Sequence, residues 1–333
     1  MADEHYNLQT EFMTRNRIDH ILRLLLPICL WWVGGMLVPV RAQQDAQFQQ
    51  YWNTETVWSP ASVGRTPQME VNAAFHTHAM GYEKAGTSLF AGVNTAFQIG
   101  KTRHGVGALF YNDQLGFFNQ MSVAAQYAYH TKLWGGTFSV GIEADLINDE
   151  IKGSKAELAD GNDPAFPTTD LSGTAFDICV GLYYQRKALG VGISARNLVA
   201  PDITMGETNK FERKRQFNFT SSYNIKLKSP LYTITPSVMF RTDLADYRAD
   251  VTCRIQYASE HRRLYGGVNY SPLHSAGLFF GGTLHGIDLC YSFEANTEGV
   301  GMIAGQHEVT LAYRLPLNLG KKGRNLHKSV RWL

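Results

Sequence analysis

Hydrophobic and polar residues alternate along most of the chain after residue 67. Residues 137–147, 173–185 and 247–257 show the pattern clearly, with apolar side chains at every second position and Ser, Gly, Asp, Glu, Thr or Arg between them. A period of two predicts β-strands whose two faces meet different surroundings. The pattern predicts fourteen strands, at about 68–80, 87–99, 104–112, 117–130, 134–147, 173–186, 189–199, 214–227, 231–241, 246–258, 263–271, 275–284, 286–296 and 306–316.

The lengths of the strands and of their connections indicate a membrane barrel. Each predicted strand has about nine residues or more, enough to cross the hydrocarbon layer of a bilayer when tilted. Connections after even-numbered strands are tiny, whereas those after odd-numbered strands include the long segments 148–172, 200–213 and 297–305. Short turns on one side and longer loops on the other are typical of outer-membrane barrels, which have even strand numbers. The predicted fold is therefore an all-β, transmembrane, antiparallel up-and-down barrel, and the alternative is a secreted β-sandwich.

The first 42 residues have the pattern of a secretory signal. Arg15, Arg17 and Arg23 precede or begin an apolar run over 21–40, and Ala42 ends a segment that a signal peptidase can cleave. An uncleaved anchor helix is the alternative, and Met13 is a second possible start. The predicted organisation is a signal peptide at 1–42, a periplasmic segment at 43–67, the barrel at 68–316 and a basic periplasmic tail at 317–333.

Composition excludes several other classes of protein. The 333 residues carry 31 Lys and Arg against 29 Asp and Glu, a net charge of +2, so bulk charge does not suggest nucleic-acid binding. Aromatic residues make up 12% of the chain, too many for a disordered protein. The four cysteines are too few for a disulfide scaffold.

The polar faces of the predicted strands carry charges of both signs. If these residues point inward, they line a lumen that is either a channel or a space filled by ion pairs. A barrel of fourteen strands is intermediate in size between filled barrels of eight strands and open barrels of sixteen. The pattern favours a plugged or narrow lumen. The candidate lumen charges are Glu143, Asp145, Asp177, Arg196, Arg248, Asp250, Arg254, Asp288, Glu294, Glu308 and Arg314.

Motifs for catalysis or cofactor binding do not withstand inspection. The segment from Gly100 to Thr102 resembles the end of a phosphate-binding loop, but position 95 is Thr95 rather than glycine. His76 and His78 share one strand face without a third metal ligand at suitable spacing. We therefore predict no enzymatic activity, cofactor or metal.

Three stretches resemble one known family. Residues 42–51 read Ala-Gln-Gln-Asp-Ala-Gln-Phe-Gln-Gln-Tyr, and they are followed by Pro60, Ala61 and Gly64, where the family has an Asn-Pro-Ala-Tyr-x-Gly segment. Residues 176–198 are similar to its mid-barrel hairpin and 306–314 to its closing strand. The family is PorP/SprF of the type IX secretion system, and the chain has the features of a divergent paralogue.

The resemblance implies a non-enzymatic outer-membrane barrel of Bacteroidetes-type bacteria. Its expected partners are the periplasmic ring and lipoprotein components of the secretion machinery, outer-membrane lipid and secreted cargo such as gliding adhesins. The basic turns, with Lys101, Arg103, Lys132, Lys187, Lys228 and Arg262, would form the partner face. The candidate partner-binding residues are Gln50, Tyr51, Pro60, Gly64, Lys321, Lys322 and Arg324.

Two other functions remain as alternatives. One is a passive channel or a transporter of hydrophobic solutes. The other is an outer-membrane enzyme of lipase or protease type, which requires a Ser, a His and an acid to meet at one rim.

Overall fold

The computed structural model describes residues 48–78, 85–155, 169–205, 209–260, 262–297 and 305–316. All of them belong to one compact unit, Gln44–Leu333. The predicted signal peptide and the basic tail lie outside the described residues. Among the described residues, neither the short helix nor the single-turn 3-10 segments have the length and apolar character that a membrane-crossing helix needs.

The described strands close into an antiparallel barrel of fourteen strands, as the alternation predicted. Each strand pairs with the next in the chain, and the first strand pairs with the last. A small two-stranded hairpin, β8 and β9, stands apart from the wall, and β11 continues the line of β10. The strands are β1 Met69–Thr77, β2 Thr87–Ile99, β3 Thr102–Leu115, β4 Phe118–Leu133, β5 Gly136–Lys152, β6 Asp170–Arg186, β7 Leu189–Arg196, β8 Asp202–Met205, β9 Asn209–Glu212, β10 Gln216–Tyr223, β11 Ile225–Lys226, β12 Tyr232–Thr242, β13 Tyr247–Ala258, β14 Arg262–Ser271, β15 Ser275–Leu284, β16 Ile287–Asn296 and β17 Gln306–Leu315.

The two faces of the wall differ as the sequence pattern requires. On β4, Ser122, Gln126 and His130 are buried inside, whereas Val123 and Tyr127 between them are exposed on the outside. The outward side chains are apolar around the barrel because they face lipid, and the polar inward ones find partners in the lumen.

The two ends of the barrel differ in their connections. We call the end with the short connections the turn end and the other the loop end. At the turn end, Trp134-Gly135 and His285-Gly286 form two-residue hairpin connections in which both residues have positive φ. This geometry matches the right-handed twist of paired strands, and it brings consecutive strands together with the fewest residues.

The loop end departs from the predicted boundaries. β5 runs to Lys152 and β6 begins at Asp170, five and three residues beyond the limits read from alternation. The β8–β9 hairpin lies within the predicted connection 200–213 and packs over their inner face. Ile203 and Met205 of the hairpin are buried against Ile147 and Ile151 of β5.

Candidate functional site

Residues 48–66, which we call the plug, fill the lumen of the barrel. The plug contains one helical turn, α1 Glu55–Trp58, and a 3-10 turn, Pro60–Ser62. Phe48, Val57, Trp58, Ala61 and Val63 are each at most 3% exposed. The plug begins beside Glu308 in the loop-end half of the lumen and ends at Arg65, which contacts Arg103 at the turn end.

The start of the plug is held by one carboxylate. Glu308 of β17 accepts hydrogen bonds from the backbone N–H of Gln49 at 2.6 Å and of Gln50 at 3.0 Å. Its Oε2 also lies 3.2 Å from Nδ1 of His76 on β1. Glu308 is 1% exposed, so water does not reach its carboxylate. These three groups supply the polar contacts that water would otherwise make.

Side chains of the plug extend this contact along the paired strands β16 and β17. Gln50 donates to Oγ of Ser292 at 3.2 Å and accepts from Thr310 at 2.6 Å. Asn53 donates to the same threonine hydroxyl at 3.1 Å. The amide side chains of the plug therefore use hydroxyl groups of the wall as binding partners.

Aromatic side chains form the apolar centre of the plug. The ring of Phe48 lies 6.4 Å from Trp58 of the plug, and 6.2 Å from both Phe90 of β2 and Tyr111 of β3, centroid to centroid. These edge-on and tilted arrangements are the ones that aromatic pairs prefer. Phe48 is thus the centre of these aromatic contacts, within a buried apolar cluster that the plug forms with wall residues such as Leu109 and Met239.

The opposite wall binds the backbone carbonyls of the plug. Gln126 of β4 donates to the carbonyl of Thr56 at 2.7 Å, and Ser194 of β7 donates to that of Trp58 at 2.6 Å. His130 contacts the carbonyl of Val63 at 2.8 Å.

The Tyr51 side chain of the plug is also bonded to the wall. Burial raises the pKa of Tyr51 to about 12, so its hydroxyl remains neutral and shares a hydrogen bond with Ser237 at 2.7 Å.

Three glycines of the wall make room for the segment 59–64. A Cβ added to Gly141 of β5 would lie 2.6 Å from the carbonyl oxygen of Pro60, and one added to Gly105 of β3 would lie 2.7 Å from the carbonyl carbon of Val63. Gly181 of β6 faces the Ser59 side chain in the same way. All three lie on the inward face of their strands. Glycines on the polar face of the alternation pattern are therefore a sequence signal for a segment that packs closely against the wall.

Gly64 is required for two independent reasons. Its φ is +68°, a left-handed conformation that favours glycine, and a Cβ there would meet Cα of Gly105 at 2.5 Å. Its N–H donates to Oδ1 of Asn94 at 3.2 Å. The close approach of two glycine backbones explains why this turn of the plug fits the wall.

The candidate lumen charges lie on the inner face of the wall. Arg248 contacts Asp250 at 2.8 Å and Glu294 at 2.9 Å, and Arg241, which we did not predict, contacts Asp250 at 2.5 Å. These four residues neutralise one another. The other pairs are Arg196 with Glu143, Arg314 with Glu70, Arg263 with Asp288, and Asp177 with the backbone N–H of Val199. Asp145 is buried beside them, and Arg254 is described below.

A buried ion pair fastens the β8–β9 hairpin over the loop end. Arg213, directly after β9, donates from Nη2 at 2.7 Å and from Nε at 3.2 Å to the two carboxylate oxygens of Asp149 on β5. This two-point geometry fits the planar guanidinium to a carboxylate. The hairpin thereby covers the inner face of the tall strands β5 and β6.

A cavity of about 390 Å³ lies between the plug and the wall at the turn end. Trp52, Ser59 and Arg65 line it from the plug, and Arg103 and Arg254 line it from the wall. Arg65 is paired with Glu55 and stacks 4.2 Å from the centroid of the Tyr183 ring. Arg254 stacks 5.3 Å from the Trp52 ring.

The structure places the candidate partner-binding residues in two groups. Gln50, Tyr51, Pro60 and Gly64 lie inside the lumen, where the barrel wall covers them, so they act on any partner only through the plug. Lys321, Lys322 and Arg324 lie outside the described residues.

Ser88 contacts both a histidine and an acid, but the three side chains are not connected as in a hydrolase. Ser88 donates to Asp113 at 2.6 Å and lies 3.3 Å from Nε2 of His78. In a catalytic triad the acid orients the histidine, whereas here it holds the serine, which is itself fully buried. Among the described residues, no group of three His, Cys, Asp or Glu side chains is arranged to hold a metal ion.

Comparison with known families identifies the chain. The family model for the type IX secretion system membrane protein PorP/SprF matches residues 40–313. The chain belongs to this family. The plug and the described barrel lie almost entirely within that match, so the protein is a PorP/SprF outer-membrane barrel of a secretion system that also contains other components. Comparison with curated protein sequences gives no match.

Solved structures share the barrel fold with this PorP/SprF protein. The TodX deltaS2S3 mutant monoaromatic hydrocarbon channel has 10% identity and a TM-score of 0.51, covering 80% of this chain and 94% of its own. The CymD monoaromatic hydrocarbon channel has 11% identity and a TM-score of 0.50, with coverage of 82% and 95%. At such identities the likeness concerns the fold alone.

Proposed function

We propose that this barrel is an accessory subunit that anchors or partners the periplasmic ring of the type IX secretion system and assists export of surface proteins such as gliding adhesins. The observation that carries the proposal is the plug. Its backbone is bound on both sides of the lumen, by Glu308 on one side and by Gln126 and Ser194 on the other. A barrel filled by its own chain suits a docking subunit better than a passive pore.

The turn end supplies the surface for such docking. Short turns of outer-membrane barrels face the periplasm. The turn end carries several exposed basic side chains, and cations on a surface favour an acidic partner. They include Lys101, Lys132, Lys187, Lys228 and Arg262. Lys321, Lys322 and Arg324 of the tail would add to this surface.

Crosslinked co-purification from native membranes tests the proposal. The wild-type barrel should recover ring components, and the double variant Lys187→Glu with Lys228→Glu should recover far less, because like charges would then oppose the partner. Lys152→Glu at the loop end is the matched control and should behave as wild type. Recovery of no ring component by the wild-type protein would refute the anchoring role.

Planar-bilayer recording separates this function from the channel alternative. The alternative is a hydrophobic-solute channel, and two solved structures with the same fold, TodX and CymD, are monoaromatic hydrocarbon channels. With the plug in place we expect no steady conductance. A steady, solute-sized conductance of the purified wild-type protein would favour the channel.

A further inference from the structure

The turn-end cavity has the features of a binding site. Its volume of about 390 Å³ lies at the lower end of the range for small-ligand pockets. Glu55 and Arg65 on its plug side are 35% and 27% exposed in their side chains, so water reaches the cavity from the turn end. The plug closes the other side, which means that a ligand binds there rather than passes through.

The charges around the cavity are unbalanced. Three arginines, Arg65, Arg103 and Arg254, line it against one carboxylate, Glu55. Glu55 is already paired with Arg65, and Arg103 donates to the Arg65 carbonyl at 2.8 Å. Arg103 and Arg254 therefore both lack an acidic partner among the residues that line the cavity, and of the two only Arg254 has a buried N–H group without an acceptor among the described residues.

Two buried N–H groups beside the cavity have no acceptor among the described residues. They are Nε of Arg254 and Nε1 of Trp52, and the Trp52 ring lies under the Arg254 guanidinium. A buried donor without an acceptor costs free energy, and the edge of a guanidinium pairs at two points with planar anions such as a carboxylate. The hydroxyl of Ser59 is also unpaired there. The residues that line the cavity thus include unpaired donors from both the plug and the wall.

We propose that this cavity binds a carboxylate carried by a peptide segment of a periplasmic partner. A carboxylate with a single charge fits better than a phosphate, because Glu55 already neutralises Arg65 and the Arg65 carbonyl holds Arg103, so that Arg254 is the guanidinium with an unmet buried N–H. Ser221, Ser222 and Ser237 line the cavity beside it and can bond the amides of one or two peptide residues. The proposal deepens the anchoring function, because it gives the basic turn end a specific contact with its acidic partner.

Titration calorimetry on the purified full-length barrel tests the site. The probes are acetyl-Gly-Phe with a free carboxylate, its C-terminal amide, and acetyl-Glu-Phe-amide, which carries the carboxylate on a side chain. The wild-type protein should bind the first probe about tenfold or more tightly than the amide, because a charged hydrogen-bond pair is lost in the amide. Binding of the third probe at the level of the first would assign the ligand to acidic side chains, and its failure would assign it to chain termini.

Variants locate the binding. Arg254→Gln should abolish the difference between the acid and the amide. Trp52→Phe keeps an aromatic ring, although a smaller one, and removes the N–H, so it should weaken binding of the acid. Arg186→Gln is the matched control, since Arg186 is exposed at the same end but does not line the cavity. Each variant is first shown to be folded by its heat-dependent migration on gels.

Equal binding of acid and amide by the wild-type protein, or an unchanged preference in Arg254→Gln, would overturn the proposal. The result is independent of co-purification with the ring. A barrel that binds the peptide acid but recovers no ring component refutes only the anchoring role, and one that recovers the ring but ignores the peptide refutes only this site.

Discussion

Replacing Gly141 by alanine should loosen the plug without breaking the barrel. The added Cβ would lie 2.6 Å from the Pro60 carbonyl oxygen, and it would also meet the backbone nitrogen of Ala61. Ordinary contacts between a carbon and a carbonyl oxygen are about 3.3 Å or longer. Since the atoms that are met belong to the plug backbone and not to a side chain that can rotate, the plug must retreat by about 1 Å.

The size of the effect follows from this overpacking. Inserting a methyl group into a well-packed interior costs about 1–3 kcal/mol, and here the cost falls on the seated form of the plug. Such a difference changes the equilibrium between seated and released plug by about 5- to 150-fold. A smaller effect is expected for Gly181→Ala, because its Cβ meets the hydroxyl of Ser59, which can turn away, and lies 3.2 Å or more from the plug's backbone and ring atoms.

Hydrogen–deuterium exchange of the plug amides measures this equilibrium, because exchange reports local opening. Amides of residues 48–66 should exchange faster in the order wild type, Gly181→Ala, Gly141→Ala, while the strands stay protected. Gly266→Ala is the control, since the nearest atom to its Cβ is the carbonyl oxygen of Phe279 on the wall, at 3.2 Å. Unchanged plug exchange in a folded Gly141→Ala barrel would refute the account of the glycine cradle.

Three further predictions concern other contacts. Glu308→Gln should speed exchange at the first plug amides, because a charged acceptor worth about 1.5–3 kcal/mol is replaced by a neutral amide; equal exchange would show that the charge is irrelevant. Phe48→Ala should destabilise the seated plug by about 3–5 kcal/mol and produce channel openings in bilayer recordings, which a continuously closed variant would contradict. Arg213→Met leaves Asp149 buried without its partner, at a cost of about 3–5 kcal/mol, so the β8–β9 hairpin should exchange faster than in wild type while β5 remains protected at its turn end.

The barrel wall could be predicted from the sequence because the signal for each strand lies within the strand's own residues. Each strand alternates between lipid and lumen, so the pattern within 214–227 placed a strand where the structure has β10 and β11, divided at Asn224. The extension of β5 beyond Ile147 was missed because polar residues follow on both faces there. The β8–β9 hairpin was missed because four-residue strands give too short a pattern.

The site was less predictable because its contacts join distant parts of the chain. Glu308 could be placed on a lumen face, but its pairing with the backbone of Gln49 spans 259 positions and leaves no periodic signal. The plug shows neither a helical nor a strand period, since its backbone groups bond to the wall. Gly141 and Gly181 were visible on the polar face, yet a missing side chain does not reveal what fills the space.

The start of the plug is bound at the seam where the first and last strands pair. The last strand must therefore be present before the plug can be held there. Glu308 and Thr310 belong to the last strand, whose partner β1 carries His76. The backbone N–H groups of Gln49 and Gln50 therefore have this acceptor only once the last strand is present. An unfinished chain would display Phe48 and Trp58 to its surroundings, and completion would hide them. Because this carboxylate lies on the last strand, the start of the plug is held in the lumen only when the barrel is complete.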